Sequence, residues 1–511
     1  MSSIINTIAF EGISAIDVTV QTQIVGGMTR IQIVGLPDKA VQESTDRIWG
    51  CLTSIGLAIP PDRIIVSLSP ADIAKEGSYF DLPIICSILV RLGIMPSDRL
   101  KHYVIMGEIS LDGRILHVPG ALPAAIAANS NDLGIICPPS CADECYWSGN
   151  KSILAPESIM QLVNHFKGTQ LLSPPAQPAI SQQNSTPATN MADIKGQATA
   201  KRALEIAASG GHNLLMSGPP GSGKSMLASA LAGILPNLSG KQLLEASMIA
   251  SITNNLSDRG LQTTPPFRSP HHSCSMPAMV GGSRKALPGE ITLAHGGVLF
   301  LDELPEFSRQ VLESLRQPLE NGIITVSRAQ LHVTYPANFQ LICAMNPCKC
   351  GFLGDSNRQC SKAPTCGQTY QQKLSGPFLD RIDLYVEVGA MRPQDLHQTS
   401  KKEETSCTIK QRVMHARTIQ RTRYKNTPII TNSRANGKLL RDTCHLSTDA
   451  QTLLDQAFDR LSLSMRSYHR IIRVSRTIAD MRNSHCIEPE DVKQALAFRI
   501  KTAQNMVKTP S

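Results

Sequence analysis

Aromatic residues are scarce in this chain: Phe, Trp and Tyr make up 4% of its 511 residues. So few rings exclude numerous stacking platforms for nucleic-acid bases. No run of about 18 apolar residues occurs, which argues against a membrane-spanning helix. The segment Met1 to Gly12 lacks the basic and long apolar regions of a signal peptide, so a cytoplasmic location is expected. In that reducing compartment the fourteen cysteines are expected to be thiols or metal ligands rather than disulfides. Net charge is a mild +9, but its placement is uneven. Between Lys401 and Arg441 there are eleven Lys/Arg against two acids, Glu403 and Glu404. Such an excess suits a polyanion; the alternative is a solvated helix and linker.

What is present divides the chain. Residues 1–170 alternate β-rich and helical runs: Ile4–Phe10, Asp17–Ile24, Thr29–Val34 and Asp62–Leu68 read as strands, Asp38–Leu57 and Leu82–Leu92 as helices. Residues 171–190 are rich in Pro, Ser, Gln and Ala, without charge or apolar period, and read as a flexible linker. Residues 191–395 carry the βαβ rhythm of a parallel sheet. A basic connecting segment, 396–445, leads to a helical block at 446–511.

The strongest motif is Gly218-Pro219-Pro220-Gly221-Ser222-Gly223-Lys224-Ser225, a full G-x-x-x-x-G-K-[ST] between an apolar strand, Asn213–Ser217, and a helix, Ser225–Ile234. The glycines let backbone N–H groups wrap phosphates at a helix N-terminus. Lys224 is then expected on the β- and γ-phosphates of ATP and the Ser225 hydroxyl on Mg²⁺. The buried strand Gly297-Val-Leu-Phe-Leu ends in Asp302, expected to hold Mg²⁺ through water, and Glu303, expected to polarise the attacking water. A third strand, Phe339–Met345, ends at Asn346, which suits orientation of that water. Two arginines complete the set. Arg381, in Leu379-Asp-Arg-Ile-Asp-Leu384, is expected to reach the γ-phosphate of a neighbouring subunit. Arg466, opening a helix with Arg470 and Arg473 on the same face, is expected to touch the γ-phosphate from the lid, with either of the other two as the alternative.

These motifs, together with Phe267-Arg-Ser-Pro-His-His272 and Pro288-Gly-Glu-Ile291, resemble the magnesium-chelatase-like AAA+ ATPases, within them most closely the ComM/YifB group, over nearly the whole chain. The resemblance implies an α/β fold in three parts: a ribosomal S5 domain 2-like (Lon protease-like) α+β domain, an AAA+ P-loop core with a parallel sheet, and a C-terminal helical lid. It implies a homohexameric ring moving on single-stranded and branched DNA, a branch-migration helicase that helps to integrate transforming DNA. It also implies a helix-2 insert, with Met279–Leu287 facing the pore and Arg284 and Lys285 available for phosphates. Ile323–Val333 then forms a hairpin with Arg328 near its tip. His271 and His272 are read as packing the insert, with a role as ligands or catalysts as the alternative.

In the N-terminal part, Ser67–Pro83 and Gly107–Arg114 resemble the Lon protease domain, but aligning Lys75-Glu-Gly-Ser78 and Pro119-Gly-Ala-Leu122 with it puts Tyr79 and Leu122 in the slots of its Ser–Lys dyad. Neither residue can supply that chemistry, so no peptidase activity is expected. Cys348, Cys350, Cys360 and Cys366 lie in a Gly/Asn/Asp/Ser-rich loop two residues beyond Asn346. Four thiolates around a structural Zn²⁺ would order such a loop, although C-x-C is tighter than the usual spacing. Cys137, Cys141 and Cys145 lack a fourth ligand and read as ordinary thiols. Against the DNA translocase stand a chelatase motor, which usually lacks a Lon-like domain, and a nucleotide-gated scaffold, which would not need Asp302, Glu303 and Arg381 together.

Overall fold

The computed structural model describes residues 3–177, 189–256, 260–282, 286–328, 331–353, 360–390 and 403–499. Strict alternation in Arg63–Ser69, with Ile64, Val66 and Leu68 buried, makes this segment a strand with one face in a core. It belongs to a seven-stranded mixed sheet built from β1 (Ser3–Glu11), β2 (Ser14–Val25), β3 (Arg30–Val34), β4 (Arg63–Ser69), β5 (Tyr103–Ile105), β6 (Gly134–Ile136) and β7 (Ile153–Leu154), ordered β3-β4-β2-β1-β5-β6-β7. Helices Lys39–Ser54 and Asp81–Arg91 follow the sequence pattern. Asp38 caps the first by accepting from the Val41 N–H at 2.8 Å. Asp81 is fully buried and is compensated by Arg47 at 2.6 Å and by Ser44.

The second sheet is parallel throughout. Its strands are β8 (Leu214–Ser217), β9 (Phe267–Arg268), β10 (Val298–Leu301), β11 (Gln340–Met345) and β12 (Leu384–Glu387), ordered β9-β10-β11-β8-β12. Every residue of β8, β10 and β11 is buried, the continuous pattern of a sheet covered on both faces. Parallel strands gather all their C-terminal ends at one edge, where the loops that follow β8, β10 and β11 converge.

The C-terminal helices Thr448–Arg460, Met465–Met481 and Pro489–Ala497 share a core with this sheet. The fully buried Asp480 is its polar centre. Arg423 and the equally buried Arg476 pair with it, and Asn432 Nδ2 donates to it at 2.8 Å. Several arginines of the basic segment are used internally. Helix Ser406–Arg423 lies along Ala198–Gly210 and the P-loop helix. Arg412 is shared by Glu205 and Glu404, Arg417 donates to the Ala208 carbonyl, and Arg434 donates to the Leu319 carbonyl. Of these partners Glu205 comes from outside the segment, Glu404 is one of its own two acids, and the other two are carbonyls.

Among the described residues, the N-terminal part touches the ATPase part around Ser251 and at the β1–β2 turn. The Gly120 N–H donates to the Ser251 carbonyl, the Ser251 hydroxyl donates to Glu144 at 2.7 Å, and His117 contacts Asn254 at 2.7 Å. At the β1–β2 turn, Ile13 packs into the core beneath the hairpin Ile323–Arg328/Leu331–Pro336. Lys75 is buried with its ammonium on the carbonyls of Pro70 and Ile73, while the Ser78 hydroxyl donates to Glu108. Tyr79 and Leu122 are core residues, as are Cys137, Cys141 and Cys145. No helix among the described residues is long and apolar enough to cross a membrane.

Candidate active site

Gly218–Ser225 links β8 to helix Lys224–Ile234. Gly221 and Gly223 take φ of +75° and +85°, where a side chain is strained. Gly223 occupies the N-cap position and offers no side-chain cap, so the first-turn N–H groups stay available for phosphate oxygens. The Lys224 ammonium is mostly buried and donates to the carbonyls of Gly218 and Pro219, both at 2.8 Å, and to Asn346 Oδ1 at 3.2 Å. Burial lowers its pKa, while the carboxylates of Asp302 and Glu303 act in the opposite sense.

Asp302 and Glu303 follow directly on β10. The Ser225 hydroxyl donates to Asp302 at 2.7 Å, so the two side chains expected on Mg²⁺ already share one point. Glu303 sits at φ +52°, a left-handed conformation rare for a non-glycine residue, with its own N–H donating to Asp302. The donor set fits ATP and Mg²⁺: a phosphate cradle, one ammonium, a hydroxyl–carboxylate pair, a second carboxylate and a strand-end amide converge at one sheet edge.

The arginines are elsewhere. Arg381 precedes β12, whose first residue, Leu384, pairs with Leu214 at the start of β8. Asn213 Nδ2 donates to the Arg381 carbonyl at 2.8 Å. Arg381 therefore stands at the N-terminal edge of the sheet. The P-loop stands at the opposite edge, one strand length of about 13 Å away at the usual rise per residue. Its guanidinium donates to Glu320 and to the Pro377 carbonyl, and burial with nearby Arg466 and Arg316 lowers its pKa.

Arg466, expected on the γ-phosphate from the lid, is at that far edge too, exposed and 3.5 Å from Asp380. Arg470 donates to the Asp380 carbonyl at 2.7 Å and Arg473 to the Ser433 carbonyl at 2.9 Å. Arg381, Arg466 and Arg473 line one cleft of about 520 Å³.

Cys348, Cys350, Cys360 and Cys366 come together, with all four sulfurs within 4.8 Å of one another. A tetrahedral Zn²⁺ with Zn–S near 2.3 Å sets sulfurs about 3.8 Å apart, so the cluster fits that ion. Cys350 and Cys348 are 3.1 Å apart. The Phe352 N–H and the neighbouring thiols draw Cys350 down to about 7, and its partner Cys360 is pushed up to about 12. The loop also touches the nucleotide site. A side chain at Gly351, whose φ is +84°, would meet Pro220 Cδ at 2.6 Å. Arg284 and Lys285 lie outside the described residues. Arg328 ends a strand, but its side chain is outside them as well.

One residue near the chemistry was assigned otherwise from sequence. His272, read as packing the insert, has Nδ1 3.3 Å from a Glu303 carboxylate oxygen. Its only sequence signal was the polar run after β9.

Comparison with known proteins agrees along the whole chain. A profile described as "Magnesium chelatase, subunit ChlI" matches residues 190–396. One described as "Subunit ChlI of Mg-chelatase" matches 20–140, and "Magnesium chelatase, subunit ChlI C-terminal" matches 403–499. Competence protein ComM of Haemophilus influenzae is 39% identical over 502 residues, 97% of each chain. Uncharacterized protein YifB of Escherichia coli is 39% identical over 498 residues, again 97% of each. The magnesium-chelatase 67 kDa subunit of Chlorobaculum parvum is 28% identical over 159 residues, 30% of this chain and 23% of that one. Similarity of this extent, added to the shared motifs, means that the chain belongs to the ComM/YifB family of magnesium-chelatase-like AAA+ ATPases.

Proposed function

We propose that the chain is a ring-forming ATPase, a homohexamer, that moves on single-stranded and branched DNA and promotes branch migration during recombination in the cytoplasm. The observation that carries the shared ATP site is the split between sheet edges. Lys224, Ser225, Asp302, Glu303 and Asn346 form one half, while Arg381 and Arg466 face away from it at the other edge. Head-to-tail packing around a closed ring brings one chain's arginine edge to the next chain's phosphate edge.

In this reading Lys224 and the P-loop N–H groups hold the phosphates, and Ser225 and Asp302 hold Mg²⁺, which neutralises charge on the β- and γ-oxygens. Glu303 accepts the proton of the attacking water, Asn346 orients that water, and the neighbour's Arg381 stabilises charge developing on the γ-phosphoryl. Arg466 joins Arg381 from the same neighbour. The four cysteines hold a structural Zn²⁺ that braces the P-loop through Gly351 and Pro220.

DNA as the track rests on the full-length similarity to competence protein ComM, with Arg284, Lys285 and Arg328 as contacts. The similarity to magnesium-chelatase subunits supports a second reading, a chelatase motor, over the shorter span matched. ATPase rates with and without forked or Holliday-junction DNA, read beside strand displacement, separate the two. Strong stimulation with displacement supports the translocase, and no effect of any DNA refutes it.

A further inference from the structure

The cleft of about 520 Å³ opens at the edge where β8 begins, opposite the P-loop, and six arginines and three carboxylates line it. All three carboxylates are engaged. Glu320 takes Arg381, Asp380 takes Arg466 and Arg470, and Asp383 accepts from the Asn213 N–H at 3.2 Å. Arg417 and Arg421, at the part of the cleft formed by helix Ser406–Arg423, are left with neutral acceptors. Among the described residues Arg417 bonds only through Nε, to the Ala208 carbonyl at 2.9 Å, and Arg421 only to the Ser239 hydroxyl, at 3.2 Å. The outer nitrogens of the Arg417 fork are therefore free to take a further acceptor.

The cost of this arrangement is visible. Desolvation and the charge of Arg421 push the Arg417 guanidinium down to about 10. The two arginines stand one helical turn apart, a spacing at which like charges repel. Lys410, on the same face two turns before Arg417, also has a neutral partner, Asn237 Oδ1 at 3.1 Å. Guanidinium forks of this kind are satisfied by an anion that accepts several N–H bonds at once, and phosphate has that geometry. Pro236, Asn237 and Leu238 line the same cleft, in the loop that follows the P-loop helix. An anion held there joins that loop to helix Ser406–Arg423, which packs on the lid helix Met465–Met481.

We propose that Arg417 and Arg421 form an anion site for a small di- or triphosphate, free or carried on a nucleoside, separate from the P-loop. The proposal depends neither on ring assembly nor on DNA as the track. The test uses the full chain carrying Lys224→Ala, in which the P-loop no longer holds nucleotide. Calorimetric titration with pyrophosphate and, separately, with ADP is repeated after adding Arg421→Gln, Arg417→Gln or Arg381→Ala. A fluorescent single-stranded oligonucleotide is the third probe.

The expected result is saturable pyrophosphate binding, weakened about tenfold or more by Arg421→Gln and unchanged by Arg381→Ala. Arg421 is exposed, so its variant keeps the test open even where Arg417→Gln fails to fold. ADP binding with the same dependence on Arg421 identifies a nucleoside polyphosphate, and pyrophosphate binding without ADP binding identifies a free one; both support the site. Absence of saturable pyrophosphate binding, or binding that survives Arg421→Gln, overturns the proposal. Loss of binding in Arg381→Ala alone also overturns it, because the anion then sits at Arg381. Oligonucleotide binding that needs Arg421 while pyrophosphate does not bind overturns it in favour of a nucleic-acid contact.

Discussion

At the residue scale, the phosphate edge assigns separate tasks to neighbouring side chains. Glu303→Gln removes the proton acceptor but leaves Lys224 and the glycine cradle intact. It should lower turnover by about 10²- to 10⁴-fold while ATP still binds, as phosphate-release and nucleotide-binding measurements will show. Lys224→Ala should abolish both, because the ammonium is the cradle's one cation among the described residues that contact Asn346. These roles were legible from sequence because each residue directly ends a buried strand or opens the following helix, so local pattern alone fixes its place. His272 was not legible. It meets Glu303 only because β9 pairs beside β10, and a two-residue strand leaves almost no periodic signal.

At the element scale, the cysteine loop and the lid each depend on polar centres that a few side chains hold. Gly351→Ala places a methyl group 2.6 Å from Pro220 Cδ at a backbone angle that disfavours any side chain. A weakened apparent affinity for ATP is expected, measured as a raised KM with little change in fold. The metal reading predicts about one zinc per chain by elemental analysis, lost in Cys348→Ser together with thermal stability. In the lid, Asp480→Ala strands Arg476, which is fully buried, and Arg423. Denaturant unfolding should register a loss of about 3–5 kcal/mol.

The four-cysteine spacing made a metal loop readable from sequence, but its contact with Pro220 was not, since that depends on how the loop folds back. The basic segment was less legible. Arg412 and Arg423 are matched by Glu205 and Asp480, which are remote in sequence and brought near only by folding.

At the scale of the whole molecule, the order of strands decides the mechanism. Because β8 lies between β11 and β12 and all run parallel, the P-loop leaves one edge and Arg381 enters at the other. Sequence reading placed Arg381 in a neighbour's site but left open which chain's phosphate Arg466 faces, because the orientation of a lid against a sheet has no signature in helical periodicity. In the proposed ring the ATP site is therefore a property of two chains.

Mixing two inactive chains tests this most directly. Glu303→Gln keeps the arginines, and Arg381→Ala keeps the base. Glu303→Gln alone should lose about 10²- to 10⁴-fold of ATPase rate, and Arg381→Ala alone about 10³- to 10⁵-fold. Combined in equal amounts and allowed to reassemble, they should recover activity at about one interface in four, where the intact base of one chain meets the intact arginine of the next. ATPase activity of the mixture no greater than the sum of the separate variants, with mixed rings shown to form, would contradict the account.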